Sequence, residues 1–160
     1  MTNFAVLTVS DTRTLATDAS GDYLVAGLEQ AGYQLSARLI CPDDAAAISL
    51  AFAKLQASGA ELILTTGGTG IALRDVTIET LSPVLVKTMP GFGEAFRAAS
   101  FAAIGAHALA TRAEAGVTAA SQLVYLLPGS LNACTMALDA FILPELNHLM
   151  KEVTKDVHTR

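Results

Sequence analysis

The residues best suited to chemistry form a loop of glycines and threonines that follows an apolar run. Residues 62–64 are apolar, and they lead into Thr65, Thr66, Gly67, Gly68, Thr69 and Gly70. Glycines let backbone N–H groups approach a ligand closely, and threonines add hydroxyl donors. Such a loop at the end of a buried strand can hold phosphate, although a tight turn without a ligand is the alternative. The Walker A and dinucleotide-binding patterns are not present.

Two aspartates follow apolar segments and could work beside this glycine loop. Asp75 comes shortly after it, and Asp43 follows Pro42 at the end of an earlier apolar segment. Together the two carboxylates could bind Mg²⁺, which prefers oxygen ligands and keeps several waters in phosphate sites. They could also orient a phosphate nucleophile.

Each aspartate also has a purely structural interpretation. Asp43 and Asp44 precede a helix, where an aspartate commonly serves as the N-cap. Asp44 is the better placed, which leaves Asp43 free to face a crevice. Asp75 could instead pair with Arg74 or cap a helix near Thr77.

Two further loops precede helices. Residues 90–94 resemble a flexible loop, and Glu94 at the helix start would complement the helix dipole. Pro128, Gly129 and Ser130 form a small-residue loop in which Ser130 is either a plain N-cap or part of an anion site. His107, His148 and His158 lack metal-ligand spacing and are assigned no chemistry.

The elements that must position these residues alternate along the chain. Hydrophobic spacing predicts strands over 4–9, 33–40, 61–66, 86–89 and 122–127. It predicts helices over 20–31, 44–58, 77–85 with a break near Pro83, 94–104, 132–141 and 144–153. Residues 108–118 are ambiguous and could be an extended excursion that turns near Gly116.

Strands separated by helices predict an α/β fold, a three-layer, doubly wound and mostly parallel sheet with helices on both faces, in a single domain over 1–160. In such sheets, ligands bind beyond the carboxyl ends of the strands. This rule brings four loops to one edge: 10–12, 41–44, 66–70 and 128–130.

The bulk composition excludes several classes of protein. A formal net charge of −5 without a basic stripe argues against nucleic-acid binding. No apolar stretch reaches a membrane span and no signal peptide is apparent, so we expect a cytoplasmic protein. Only 16% of the residues are charged, against roughly 25% in typical domains. This favours a homo-oligomer. Cys41 and Cys134 suggest buried free thiols.

The ordered set of motifs resembles the MoaB/MogA family of molybdenum cofactor biosynthesis proteins, which is similar to the G domain of gephyrin. The resemblance spans about 4–149, and the chain is MoaB-like in length. It rests on residues 10–11, 18, 20–21, 65–70, 74–77, 89–94, 97, 100, 112–113 and 127–130.

The resemblance implies a molybdopterin-binding-domain fold that transfers adenylyl from Mg-ATP to molybdopterin and releases pyrophosphate. Asp43 and Asp75 map to the family's critical aspartates and would act through Mg²⁺ and phosphate positioning. The glycine loop would hold phosphates by backbone N–H groups, and the loop around Ser130 would hold another part of the ligand. Further residues expected to line the site are Ser10, Asp11, Glu94 and Arg112.

The resemblance also implies a homotrimer or a hexamer, and it suggests other cofactor-biosynthesis proteins as partners. The rival hypothesis is a non-catalytic carrier or scaffold that binds molybdopterin without using ATP. An unrelated flavodoxin-like nucleotide-binding module is a third interpretation. A tungsten pathway would use the same pterin.

Overall fold

A six-stranded mixed sheet organises the computed structural model, which describes residues 1–155. The strands are β1 (Asn3–Val9), β2 (Gln34–Cys41), β3 (Leu62–Thr66), β4 (Leu85–Thr88), β5 (Glu114–Thr118) and β6 (Leu123–Leu127). The helices are α1 (Ala19–Gln30), α2 (Ala45–Ala57), α3 (Thr77–Leu81), α4 (Pro90–Ile104), α5 (Leu131–Met136) and α6 (Leu143–Thr154). Short 3₁₀ turns cover Ser82–Val84 and Gly105–Ala110, and a π-helical segment, Ala137–Ile142, joins α5 to α6.

The strand order is β2-β1-β3-β6-β5-β4. The first four strands of this order are parallel, and β5 runs antiparallel to both β6 and β4. In the register, Thr66 pairs with Thr8 on one side and with Leu127 on the other. The carboxyl ends of β1, β3 and β6 are therefore level, and the loops that follow them start side by side.

Alternation along the central strands divides the core into two layers. Phe4 and Val6 join a buried cluster with α1, α4 and α6, whereas Ala5 and Leu7 join a cluster with α2 and α3. Successive side chains of a strand point to opposite faces, so this alternation requires a helical layer on each face of the sheet. The predicted three-layer, mostly parallel α/β architecture is confirmed.

Several predicted boundaries are also confirmed, together with their caps. The Asp44 carboxylate accepts a hydrogen bond from the Ala47 N–H at 2.9 Å at the start of α2. The Ser130 hydroxyl accepts one from the Ala133 N–H at 3.2 Å at the start of α5. Near Pro83 the chain leaves α3 for a 3₁₀ turn, as the proline requires.

The predicted flexible loop at 90–94 is wrong. Helix α4 begins at Pro90 rather than at Glu94, because proline at the first helical position lacks an N–H that would have no partner there and has a helical φ. The helix consequently starts directly after β4.

Two other sequence expectations also need correction. Gly116 does not mark a turn but lies within β5, where a Cβ would collide with the Lys87 carbonyl of β4. The chain reverses at 119–122 instead, with Ser121 at φ 59°. The predicted break between helices 132–141 and 144–153 does not exist, because a π-helical segment carries the helix through it. His158 lies outside the described residues.

Within residues 1–155, no helix has both the length and the apolar character needed to span a membrane.

Candidate functional site

A crevice of about 470 Å³ opens at the carboxyl edge of the sheet. It lies where the chain order reverses, since β2 follows β1 on one side and β3 lies on the other. This is the position where open α/β sheets bind ligands. The crevice is lined by four groups of residues: 8–13 and 43, then 66–70 with 74–75, then 107 with 110–111, and finally 128–130.

The glycine loop, residues 66–70, forms one wall and is held by Thr77. The Thr77 hydroxyl donates to the Gly67 carbonyl at 2.9 Å, and the Thr77 N–H donates to the Gly68 carbonyl at 3.0 Å. Gly67 and Gly68 have φ of 96° and 68°, a region that glycine adopts readily. A Cβ on Gly68 would collide with the Thr77 hydroxyl and lie 3.1 Å from Asp43 Oδ1. Only a glycine fits here without displacing its neighbours.

Only some of the N–H groups of this loop have a hydrogen-bond acceptor within the described protein. The Gly67 N–H donates to the Leu127 carbonyl at 3.0 Å, so it is not available to a ligand. The N–H groups of Gly68, Thr69 and Gly70 have no acceptor among residues 1–155. Three consecutive donors of this kind can form a concave anion site.

The loop of Pro128, Gly129 and Ser130 forms the adjacent wall. Two of its carbonyls accept hydrogen bonds from neighbouring elements. Thr66 Oγ1 donates to the Pro128 carbonyl at 2.9 Å, and Ser20 Oγ donates to the Gly129 carbonyl at 2.9 Å. The Cys134 thiol also donates to Pro128, at 3.3 Å. Burial raises the pKa of this thiol, so Cys134 remains a neutral hydrogen-bonding group.

The two small-residue loops touch each other. A Cβ on Gly129 would lie 3.2 Å from the Gly67 Cα, which is too close for an easy fit. Glycine at position 129 therefore lets the loops after β3 and β6 pack side by side as one surface.

Asp43 and Asp75 lie together against the glycine loop, since Asp43 Oδ1 and Asp75 Oδ2 would stand 3.1 and 2.5 Å from a Cβ on Gly68 and on Gly70, respectively. Asp43 Oδ1 accepts from the Val76 N–H at 3.4 Å, and Asp75 Oδ2 accepts from the Ala72 N–H at 3.2 Å. Burial raises the pKa of Asp43, and the charges of Asp75 and Asp11 raise it further, against the Val76 N–H, which lowers it. The structure thus crowds negative charge here, which a cation would relieve.

Asp11, in the loop after β1, contacts both Asp43 and Arg74. Its Oδ1 accepts from the Asp43 N–H at 2.9 Å, and its Oδ2 pairs with Arg74 at 3.1 Å. Arg74 therefore pairs with Asp11 and not with its neighbour Asp75, which removes one structural interpretation of Asp75. The Ser10 hydroxyl accepts from the N–H groups of Thr12 and Arg13 at 3.3 and 3.1 Å, and so shapes the same loop.

No group of three or more His, Cys, Asp or Glu side chains within the described chain is arranged to enclose a metal ion. Mg²⁺ in phosphate sites is usually held by one or two carboxylates together with substrate phosphates. The pair of Asp43 and Asp75 fits that second kind of site.

Two predicted site residues lie elsewhere in the single chain. Glu94 is exposed on α4 and does not line the crevice. Arg112 stands behind the glycine loop, where its Nε donates to the Thr69 carbonyl at 2.9 Å. Whether Glu94 contacts a ligand stays a prediction.

Sequence reasoning missed several crevice residues, among them Arg13, His107 and Thr111. Arg13 follows the Ser10-Asp11 motif directly and could have been included as a phosphate-binding cation. His107 and Thr111 belong to a segment without clear periodicity, and no local signal placed it over the crevice.

Comparison with known proteins agrees with this arrangement. Residues 5–148 match the model of a family described as a probable molybdopterin binding domain. Over 154 residues the chain is 46% identical to molybdenum cofactor biosynthesis protein B of Staphylococcus carnosus, covering 94% of this chain and 90% of that protein. The chain belongs to the MoaB family of molybdenum cofactor biosynthesis proteins.

Solved structures show the same likeness. A crystal structure of a molybdenum cofactor biosynthesis protein B superposes with a TM-score of 0.91 at 40% identity, covering 96% of each chain. The tungsten cofactor synthesizing protein MoaB of Pyrococcus furiosus superposes with a TM-score of 0.88 at 36% identity, covering 96% of this chain and 97% of that one. The predicted family and its molybdopterin-binding fold are confirmed.

Proposed function

We propose that the protein adenylylates molybdopterin with Mg-ATP and releases pyrophosphate. One observation carries the proposal: unpaired N–H groups of the glycine loop and the carboxylates of Asp43 and Asp75 line the same crevice. Membership in a cofactor-biosynthesis family supports the choice of molybdopterin as the acceptor.

The reaction exchanges one phosphorus–oxygen bond for another. A terminal phosphate oxygen of molybdopterin forms a bond to the α-phosphorus of ATP, and the bond from that phosphorus to the bridging oxygen of the β-phosphate breaks. The leaving group is pyrophosphate. The attacking oxygen is already anionic, so the protein needs no strong general base. Its task is to hold two anions in line and to stabilise the charge between them.

The residues divide this task by location. The N–H groups of Gly68, Thr69 and Gly70 bind phosphate oxygens of one ligand, and the loop of Gly129 and Ser130 binds another part. Asp43 and Asp75 would hold Mg²⁺, which when bound neutralises charge on the phosphates. This explains why the site uses glycine loops and carboxylates and gives histidine no central role.

The test is pyrophosphate release by the purified protein with molybdopterin and Mg-ATP. We expect release by the wild type and a loss of roughly 100-fold or more in the Asp75→Asn variant, the size typical of a lost electrostatic group. Asp139→Asn is the matched control, because the Asp139 carboxylate accepts a hydrogen bond from the Tyr23 hydroxyl and lies outside the crevice. If the wild type binds molybdopterin but releases no pyrophosphate, the carrier hypothesis replaces this one.

We also propose that the chain assembles as a trimer or a hexamer. Phe101, Ile104 and Leu109, around the end of α4, expose 56%, 56% and 81% of their surface. Exposed apolar side chains that lie near each other often mark protein contacts. Light scattering on the eluting protein should give three or six times the chain mass of 16.6 kDa. A monomer at micromolar concentration would contradict this.

A further inference from the structure

Arg112 makes more polar contacts than any other side chain near the crevice, yet it does not line it. Its Nη1 donates to Oε1 of Glu79 on α3, and its Nη2 donates to Oε2 of the same carboxylate at 3.2 Å. Its Nε donates to the Thr69 carbonyl at 2.9 Å, and Nη2 also donates to the Asp75 carbonyl at 3.4 Å. One planar guanidinium therefore connects helix α3 to both ends of the loop 69–75.

The loop between those two carbonyls has little else to hold it. Ile71 and Leu73 expose 73% and 101% of their surface, so their burial contributes almost nothing. The Arg74–Asp11 pair is on the surface, with side chains 70% and 42% exposed, and such pairs contribute little. What remains is the burial of Thr69 and the turn between Ala72 and Asp75, in which the Asp75 carboxylate accepts from the Ala72 N–H and the Asp75 N–H donates to the Ala72 carbonyl at 2.9 Å.

The same two carbonyls belong to functional residues. Thr69 carries one of the unpaired N–H donors of the glycine loop, and Asp75 carries one of the two crevice carboxylates. A shift of either carbonyl moves the peptide group beside the ligand. Bidentate pairing of arginine with carboxylate adds geometric specificity that a lysine cannot supply.

We propose that Arg112, oriented by Glu79, is a positioning residue that holds residues 69–75 in the conformation that binds the phosphates of Mg-ATP. Arg112 itself does not line the crevice in which these phosphates would lie. The identity of the ligand rests on the proposed function, whereas the positioning of the loop does not.

The experiment compares wild type, Arg112→Lys and Glu79→Gln by amide hydrogen exchange and by calorimetric titration with Mg-ATP. The reporting amides are those of Ala72 and Asp75, which are hydrogen-bonded within the loop, and that of Val76, which donates to Asp43 at the end of the loop. Glu152→Gln is the matched control, because it removes the charge of an exposed carboxylate paired with Lys155, outside the crevice.

We expect exchange at the three reporting amides to rise about fivefold or more in Arg112→Lys, while the core strands stay protected. The dissociation constant for Mg-ATP should rise roughly tenfold, because a smaller fraction of molecules holds the competent loop. Glu79→Gln should shift both quantities in the same direction by less, and Glu152→Gln should shift neither.

Unchanged exchange at these amides in a folded Arg112→Lys would overturn the positioning role. If Arg112→Lys does not fold, Glu79→Gln carries the test, and wild-type exchange in that variant overturns the role. If the wild type shows no heat with Mg-ATP, the proposed function fails, and the exchange data still decide the role of Arg112.

Discussion

Asp18 is fully buried beside the crevice, and its carboxylate lies 3.0 Å from the guanidinium of Arg38. It also accepts from the Thr8 hydroxyl at 2.6 Å and from the Gly21 N–H at 3.0 Å. Burial raises the pKa of Asp18, but the hydrogen bonds from Thr8, Gly21 and Arg38 outweigh it and lower the pKa overall. The aspartate thereby ties β1, α1 and β2 together at the floor of the site.

Replacing Asp18 by Asn should lower the free energy of unfolding by about 3 kcal/mol at pH 7, because it leaves the half-buried guanidinium of Arg38 without its buried carboxylate partner. The folded pKa is lowered from 3.8, so the contribution of Asp18 is present above that value and is lost as the pH falls through the folded pKa. Urea unfolding at pH 7 and at progressively lower pH checks both the size and the sign.

Asp22→Asn is the matched control for that variant. Asp22 pairs with the same Arg38 at 2.7 Å, but its side chain is 57% exposed. An exposed pair contributes at most about 1 kcal/mol. Equal losses in the two variants would contradict the importance of burial here.

Gly68→Ala should damage both stability and ligand binding. Gly68 and Gly59 both have positive φ, 68° and 81°, and either substitution costs about 1 kcal/mol in backbone strain. A Cβ at Gly59 meets nothing within 4 Å, whereas one at Gly68 collides with Thr77. We therefore expect Gly68→Ala to lower the melting temperature further than Gly59→Ala and to abolish heat with Mg-ATP. Comparable melting temperatures in the two variants would show that the glycine loop can shift to accommodate the added methyl group.

Asp43→Asn should stabilise the protein at pH 7 while abolishing the proposed release of pyrophosphate. The pKa of Asp43 is raised by burial and by its carboxylate neighbours, so its ionised form costs stability. That cost is absent at pH values well below the ordinary pKa of 3.8. It grows as the pH rises and reaches its full size above the pKa of Asp43 in the folded protein. Melting temperatures at pH 7 and pH 3 should differ from wild type only at pH 7. Asp44→Asn is the control, because Asn caps a helix as well as Asp.

Asp11→Ala and Asp11→Asn separate the two contacts of Asp11. An amide oxygen can still accept from the Asp43 N–H, whereas alanine leaves that N–H without its partner. We expect Asp11→Asn to change the free energy of unfolding by less than about 0.5 kcal/mol and Asp11→Ala to lower it by about 1 kcal/mol. Chemical denaturation measures both. Similar values would assign the effect to the pair with Arg74.

Much of the site could be predicted from the order of motifs along the chain. Asp43 was expected to face a crevice because Asp44 is the better cap, and the structure places both as expected. The loops after β1, β3 and β6 meet because parallel strands end at the same edge. The π-helical junction before α6 and the start of α4 at Pro90 were not predicted, since helical spacing locates boundaries poorly.

The sequence by itself determined the alternation of strands and helices, the caps at Asp44 and Ser130, and the loops that could bind phosphate. These depend on residues a few positions apart, whose backbone preferences act locally. Only the tertiary structure decided that Gly67 gives its N–H to Leu127 and that Arg112 holds Thr69 from behind. Those partners lie far apart in sequence. The pairing of β3 with β6 brings Gly67 to Leu127, and the pairing of β5 with β6 brings Arg112, just before β5, to Thr69.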